Sequence, residues 1–236
     1  MMKLDQLKAS RVANPDSPLD LPELEICQRC EKIFTAAVND VLRENMLTRQ
    51  ILPNGILPLR EHQRVAGFAF TIKGAKNLEL KNEMAQRAEM LDSLKENSFV
   101  VWDTGNDDES TQWGECMTMA AQRKKVRGAA VDGGVRDTDK VLELGFPLWV
   151  RYRNSNGMLG RFRISAWQTQ IRIGEVFIQP GDLIFGDIDG VIVVPRAICV
   201  PVLLRAEEIA NGESQLKKWI KEGMTATEIV KRGGYF

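Results

Sequence analysis

Hydrophobic positions in the middle of the chain switch between continuous runs and helical spacing. Apolar runs at 65–72 and 128–131 predict buried strands, and a run at 98–103 predicts a strand that ends in a carboxylate. Apolar residues three or four positions apart over 82–97 predict a helix between the first two strands. This alternation of strand and helix predicts parallel β-α-β units in an α/β domain.

The same pattern predicts the remaining elements. Residues 1–20 are polar and contain two prolines, which predicts an irregular arm. Short β segments fill 160–195, with a hairpin-like stretch over 171–178. The other predicted strands cover 147–152, 183–185 and 190–195, and the other predicted helices cover 21–37, a short piece ending at 44, 116–124, 138–144, 200–211, 214–221 and 225–232.

Composition narrows the class of protein. The 236 residues contain 32 Lys+Arg and 32 Asp+Glu, so no basic excess supports nucleic-acid binding. No apolar run approaches the ~18 residues of a membrane span, and the first residues lack the apolar core of a secretory signal. We expect one compact cytoplasmic domain that binds neither nucleic acid nor membrane.

Histidine and cysteine usage excludes several kinds of site. His62 is the single histidine and lies among polar residues, which argues against zinc hydrolases and against a Ser-His-Asp triad. Any metal is therefore expected to be hard and oxygen-liganded. Cys27 and Cys30 have CxxC spacing but lie within a predicted helix, and no second pair completes four ligands. We expect these cysteines to be structural.

Two motifs concentrate the candidate chemistry. Gly114 and Glu115 precede the predicted helix at 116–124, whose first N–H groups have no partner inside the helix. The second motif runs from Asp132 through two glycines, which we expect to turn the chain sharply, to Arg136 and Asp137. Helix amides, a guanidinium and two carboxylates suit a metal and a small oxyanion. From the motif alone, an ion pair between Arg136 and Asp137 that stabilises the turn is the alternative.

These motifs resemble the RraA-like family, which includes 4-hydroxy-4-methyl-2-oxoglutarate aldolases, 4-carboxy-4-hydroxy-2-oxoadipate aldolases and the regulator of ribonuclease activity A. Some members are labelled demethylmenaquinone methyltransferase. The resemblance extends from about Thr35 to the C-terminal helices. Its anchors are 35–42, 67–71, 114–115, 128–137 and 180–195.

The resemblance implies a swivelling β/β/α-type single domain with flanking N- and C-terminal helices. Residues 35–197 would form the catalytic core, after an N-terminal arm and helix over 1–34. The helices of 198–236 would pack on the same domain or on a neighbouring subunit. A homotrimer or homohexamer is implied, with active sites between subunits.

The resemblance also implies a lyase that releases pyruvate from 4-hydroxy-2-oxo acids with Mg²⁺ or Mn²⁺, often with oxaloacetate decarboxylase activity. Asp137 matches the metal ligand, and Arg136 matches the arginine that contacts substrate. The backbone amides of Gly114, Glu115, Cys116 and Met117 match the loop that holds the pyruvate carboxylate. Glu115 also matches the acidic residue near the water shell of the metal, where it would position the base for the 4-hydroxyl proton. Glu213 is a possible contribution from a neighbouring subunit. Lys125 and Asn39 depart from the family pattern and leave the substrate open.

Several other residues suggest alternative chemistry. Lys73 and Lys140 are candidates for a Schiff base, but neither lies in an apolar motif that would depress the pKa of an amine. Asp187 and Asp189 resemble a carboxylate pair but are more typical of a β-turn, and the acidic loop 107–109 is expected to be solvated. A non-catalytic regulator that binds a ribonuclease is the alternative function. The chain lacks the glycine-rich loop of an adenosylmethionine-dependent methyltransferase.

Overall fold

The computed structural model describes residues 17–234, apart from the side chain of Ser214. The first sixteen residues of the predicted N-terminal arm lie outside this range. The described chain forms one nine-stranded sheet, a separate two-stranded hairpin and seven α-helices. No helix among these residues is long and apolar enough to cross a membrane.

Four parallel strands form the centre of the sheet, in the order β6-β5-β3-β2. The sheet continues through the antiparallel strands β10 and β11, while β1 pairs with β6, β4 with β5 and β7 with β2. The predicted parallel units are therefore confirmed. The strands are β1 (Leu57–Pro58), β2 (Val65–Lys76), β3 (Ser98–Asp103), β4 (Thr111–Trp113), β5 (Gly128–Val135), β6 (Leu148–Arg153), β7 (Phe162–Trp167), β8 (Ile171–Ile173), β9 (Val176–Ile178), β10 (Leu183–Asp187) and β11 (Gly190–Val194).

The segment before β2 nearly closes this sheet into a barrel. The Leu52 N–H donates to the Val191 carbonyl at 2.9 Å, and the Val193 N–H donates to the Gln50 carbonyl at 2.8 Å. A few residues later, Leu57 pairs with Val150 on the opposite edge strand β6. The enclosed face is apolar, and the predicted hairpin of β8 and β9 packs its four isoleucine and valine side chains into it.

The helices cover the outer face of the sheet in two groups. The α1, α2 and α6 helices pack on β2, β10 and β11, and the α3, α4 and α5 helices pack on the four parallel strands. The α7 helix follows α6 and contacts it. The helices are α1 (Glu23–Cys30), α2 (Thr35–Glu44), α3 (Glu83–Asp92), α4 (Glu115–Arg123), α5 (Thr138–Glu143), α6 (Cys199–Lys221) and α7 (Ala226–Lys231). This arrangement confirms the predicted α/β single domain with flanking helices.

The helix predicted over 21–37 is wrong in its extent. The chain leaves helical geometry after Cys30 and becomes extended at Phe34, and α2 then begins at Thr35. Asp187 explains the new start, because its carboxylate accepts from the Thr35 N–H at 2.9 Å and from Thr35 Oγ1 at 2.8 Å. The two helices therefore meet at a break that a distant residue stabilises.

Two other helices also differ from the prediction. The segments predicted as 200–211 and 214–221 form one helix of 23 residues, α6, with Gly212 in its interior. Packing of α6 against α2 offsets the cost of a glycine inside a helix. The helix predicted over 82–97 ends at Asp92, and its buried residues are Glu83 and Met90.

The cysteines behave as structural residues. Cys27, Cys30 and Cys199 are buried in the core between α1, α6 and the sheet. Burial raises the pKa of the Cys27 and Cys199 thiols to about 12 and also raises the pKa of Cys30. Thiols in this state are poor nucleophiles, which confirms the expectation for the CxxC pair.

Candidate active site

A cleft of about 180 Å³ lies between α3, the start of α4 and the end of β5. All six residues that the sequence predicts for the site line it. They are Gly114, Glu115, Cys116, Met117, Arg136 and Asp137. The structure therefore brings the two motifs together, although their roles in a reaction remain predictions. The other lining residues are Met84, Arg87, Leu91, Thr111, Gln112, Trp113 and Met158.

The start of α4 forms one wall of the cleft. Gly114 is the N-cap residue and provides no side-chain acceptor for the first N–H groups of the helix. The Thr118 N–H makes the first intrahelical bond, to the Gly114 carbonyl at 3.0 Å, so the preceding amides have no helical acceptor. Trp113 anchors this end: its Nε1 donates to Thr118 Oγ1 at 2.9 Å, and its ring stacks on Phe146.

Gly133 and Gly134 do not form the expected sharp turn. Both lie within β5, and neither has a positive φ angle. Both positions require glycine because neighbouring side chains approach closely. A Cβ on Gly133 would lie 2.1 Å from Gln112 Oε1, and one on Gly134 would lie 2.3 Å from the Tyr152 ring. The strand continues past a register shift between Val131 and Gly134 to Arg136, whose N–H donates to the Trp113 carbonyl at 3.0 Å.

Arg136 and Asp137 stand side by side at the end of β5, as predicted. Arg136 Nε lies 3.5 Å from Asp137 Oδ2, and the two side chains are 49% and 45% exposed. The ion-pair interpretation is therefore correct as far as geometry goes, but a half-exposed pair contributes little stability. Both side chains remain available to a ligand.

Glycines of two other segments leave the space that this pair occupies. A Cβ on Gly114 would lie 3.0 Å from Asp137 Oδ2, and a Cβ on Gly157 would lie 2.8 Å from Arg136 Nη1. Asp137 itself has a φ angle of 50°, in the left-handed region that few non-glycine residues adopt. The position of the carboxylate therefore requires glycine at 114 and this backbone conformation at Asp137.

The acidic loop 107–109 is only partly solvated, which corrects the expectation. Asp108 and Glu109 are exposed, whereas Asp107 is 1% exposed and accepts from Gln112 Nε2 at 2.6 Å and from Ser110 Oγ. Gln112 Oε1 accepts from the Gly134 N–H at 3.1 Å. Asp107 therefore fixes Gln112, which ties the loop to β5 beside the cleft.

The remaining candidates lie away from the cleft. His62, Lys73 and Lys140 are exposed, and the ion pair with Glu143 raises the pKa of Lys140, the opposite of what a Schiff-base amine needs. Glu213 lies on α6 beside α2, where it pairs with Lys217 at 3.0 Å, so its contribution to a neighbouring subunit stays a prediction.

The tryptophans and the second carboxylate pair are structural. Trp102 and Trp113 are buried in the core, and Trp113 also lines the cleft. Asp187 is 2% exposed and caps α2, which confirms the structural interpretation of the pair with Asp189.

The α3 helix contributes to the cleft in a way that the sequence did not predict. Met84, Arg87 and Leu91 share one face of this helix and form the wall opposite α4. The spacing of Met84 and Leu91 predicts only a helix, and Met84 is 60% exposed. Nothing in the local sequence distinguishes Arg87 from a surface arginine.

A hard divalent cation fits the donors of the cleft. No group of three or more His, Cys, Asp or Glu side chains converges on one point within residues 17–234. Mg²⁺ commonly binds through one or two carboxylates and completes its shell with water and substrate oxygens. Asp137 and Glu115 provide such carboxylates on the cleft wall.

The chain is similar to several known proteins. It is 28% identical over 206 residues to "Putative 4-hydroxy-4-methyl-2-oxoglutarate aldolase" of Halalkalibacterium halodurans, covering 86% of this chain and 92% of that one. It is 28% identical over 170 residues to protein DlpA of Legionella pneumophila. That match covers 72% of this chain but only 28% of DlpA.

Solved structures share the fold. A crystal structure described as a novel cellulase from microbes associated with the gut ecosystem has a TM-score of 0.84 and 49% identity, with 91% of this chain and 97% of that chain covered. Streptomyces coelicolor RraAS2, described as an unusual member of the RNase ES inhibitor RraA family, has a TM-score of 0.75 and 24% identity, with 85% and 99% covered. The family model described as RraA-like, Aldolase/RraA, matches residues 35–193, more than half of the chain, and the chain therefore belongs to the RraA-like family.

Proposed function

We propose that the protein is a divalent-metal-dependent lyase that acts on 4-hydroxy-2-oxo acids or oxaloacetate and produces pyruvate through its enolate. The observation that carries this proposal is the convergence of free α4 amides, Arg136 and Asp137 on one small cleft. The aldolase name of the H. halodurans relative supports it. The natural 2-oxo acid is left open.

The roles follow from the chemistry of each group. The N–H groups of Glu115, Cys116 and Met117 bind the substrate carboxylate, because helix N-termini favour anions. Asp137 would hold Mg²⁺ or Mn²⁺, with Glu115 beside its water shell; bound there, the cation would supply Lewis acidity to the 2-oxo group. Arg136 hydrogen-bonds the oxygen on which negative charge develops, a contribution of about 3–4 kcal/mol to the transition state.

The proton transfers that the reaction requires give Glu115 a role. Cleavage breaks the C3–C4 bond, leaves its electron pair on the enolate of pyruvate and turns the C4 hydroxyl into a carbonyl. The hydroxyl proton must leave, and C3 must gain a proton when pyruvate forms. Glu115 lies on the cleft wall, where its carboxylate can position the base. For oxaloacetate the same bond breaks and CO₂ leaves, without a hydroxyl proton to remove.

A non-catalytic regulator that binds a ribonuclease is the alternative. The chain is 24% identical in sequence to RraAS2, and this similarity shows the fold alone. A binding surface has no need for helix amides, a guanidinium and a carboxylate that converge on one cleft, so the geometry favours the enzyme.

The test is pyruvate release from 4-hydroxy-4-methyl-2-oxoglutarate and from oxaloacetate. We expect activity with Mg²⁺ or Mn²⁺, loss with EDTA and a loss of at least ~100-fold in Asp137→Asn. Asp139→Asn is the matched control, because Asp139 is exposed and does not line the cleft. Equal activity in both variants would refute the assignment of Asp137. No turnover, together with capture of a purified ribonuclease, would favour the regulator.

A further inference from the structure

A second arginine enters the candidate cleft from α3. Arg87 lines the cleft on the wall opposite α4, between the apolar side chains of Met84 and Leu91 on the same helical face. Its side chain is 19% exposed, so most of it is buried at the cleft wall. The proposed reaction at Asp137 and Arg136 does not use this cation.

Glu83 fixes the position of Arg87. The Glu83 carboxylate, 1% exposed, accepts from Arg87 Nη2 one helical turn away. Glu83 Oε2 and Arg87 Nε are buried and have no hydrogen-bond partner among the described residues. A carboxylate that accepts from Nη2 alone leaves other guanidinium donors outside this ion pair, and a buried pair with unsatisfied polar atoms carries a desolvation cost.

We propose that Arg87 binds a second carboxylate of the substrate, so that the cleft selects dicarboxylic 2-oxo acids. This inference rests on the proposed function. The first carboxylate would bind the α4 amides, and the second would lie across the cleft at the planar guanidinium, which suits carboxylate oxygens. The apolar side chains beside Arg87 would contact the part of the substrate carbon chain that joins the two carboxylates.

The matched variants are Glu83→Gln and the double variant Glu83→Gln/Arg87→Gln. Removal of Arg87 alone would leave a buried charge on Glu83 and risk unfolding, whereas the double variant leaves two neutral amides that can pair. Arg163→Gln is a second control, because Arg163 contacts α3 through Gln86 at 3.2 Å but does not line the cleft.

The kinetic test compares 4-hydroxy-4-methyl-2-oxoglutarate with the monocarboxylic 4-hydroxy-2-oxopentanoate. In the double variant we expect kcat/KM for the dicarboxylic substrate to fall about 10- to 100-fold, as for the loss of a charged hydrogen bond, with the monocarboxylic substrate nearly unchanged. Arg163→Gln should keep the preference of the unmodified protein, and Glu83→Gln should still prefer the dicarboxylic substrate because it keeps the Arg87 cation and a side-chain oxygen that can accept from it. An equal change for both substrates would overturn the proposal.

A binding measurement keeps this test independent of turnover. Cys116 is exposed and lines the cleft, whereas the other three cysteines are buried, so its alkylation by iodoacetamide reports occupancy. We expect 2-oxoglutarate to protect Cys116 at a concentration at least 10-fold lower than 2-oxopentanoate, and this difference should vanish in the double variant. If no substrate is turned over but the difference is observed, the proposed function fails and the role of Arg87 stands. Equal protection by the two acids would refute it.

Discussion

Cys116 shows how a single residue can belong to a site through its backbone alone. Its amide lies in the first turn of α4, where a carboxylate is expected to bind, while its thiol is exposed on the cleft wall. The proposed reaction needs the N–H group and no sulfur chemistry. The side chain is therefore expected to be replaceable.

We predict that Cys116→Ser retains pyruvate release within about threefold, because the backbone donor is unchanged and serine is accepted near a helix start. Kinetics on the purified variant would check this, with iodoacetamide labelling to confirm that the exposed thiol is gone. A loss of more than ~100-fold with intact folding would mean that the thiol takes part in the reaction.

Residue-scale features were the least predictable from sequence. Arg136 and Asp137 were recognised because they adjoin a strand end in a compact motif. The glycines before them suggested a turn, since the sequence does not reveal that Gln112 and Tyr152 approach them. The place of Arg87 in the cleft could not be predicted for a similar reason, because it depends on how α3 packs beside α4.

At the scale of elements, the break between α1 and α2 depends on one buried carboxylate. Asp187 receives hydrogen bonds from the Thr35 N–H and hydroxyl, and from the Asp189 N–H at 3.0 Å. These contacts join the start of α2 to the turn between β10 and β11. Hydrophobic periodicity predicts that helices exist, but a start fixed by a residue 152 positions away leaves no local signal.

We predict that Asp187→Ala lowers the free energy of unfolding by about 2–4 kcal/mol, because three donors lose a charged acceptor in a buried place. Asp189→Ala should change it by less than about 0.5 kcal/mol, since that side chain is exposed. Urea unfolding of the two variants provides the comparison. Similar effects for both would argue that the carboxylates act as a pair, as in a metal site.

At the scale of the whole molecule, the pattern of apolar runs predicts the parallel core of the sheet. It does not predict the closure of the sheet, which depends on long-range pairing. Continuous apolar runs correctly gave β2, β3 and β5, because strands buried on both faces need no alternation. The closing contacts of Gln50 and Leu52 with β11 join segments about 140 residues apart, beyond the reach of periodicity. One consequence is that charged residues within the central strands are enclosed by the folded sheet.

Asp132 is one of these enclosed charges, and it should make stability depend on pH. Its side chain is 5% exposed, and Arg151 Nη1 lies 3.4 Å from Oδ1. Burial raises the pKa of Asp132 to about 6, the Arg151 charge opposes this shift, and the Asp103 carboxylate adds to it. Because the folded protein holds this proton more tightly than the unfolded chain does, the contribution to stability is complete below about pH 4 and is lost as the pH rises through 6.

We therefore predict that Asp132→Asn gains stability relative to the unmodified protein as the pH rises from 4 to 7, by an amount of the order of 2 kcal/mol. Urea unfolding at several pH values measures the difference between the two proteins, and Asp139→Asn, at an exposed position, should show no such trend. Burial also raises the pKa of Asp182 to about 6, but this carboxyl is present in both proteins and cancels. A constant difference across the range would mean that Arg151 compensates fully for the burial of Asp132.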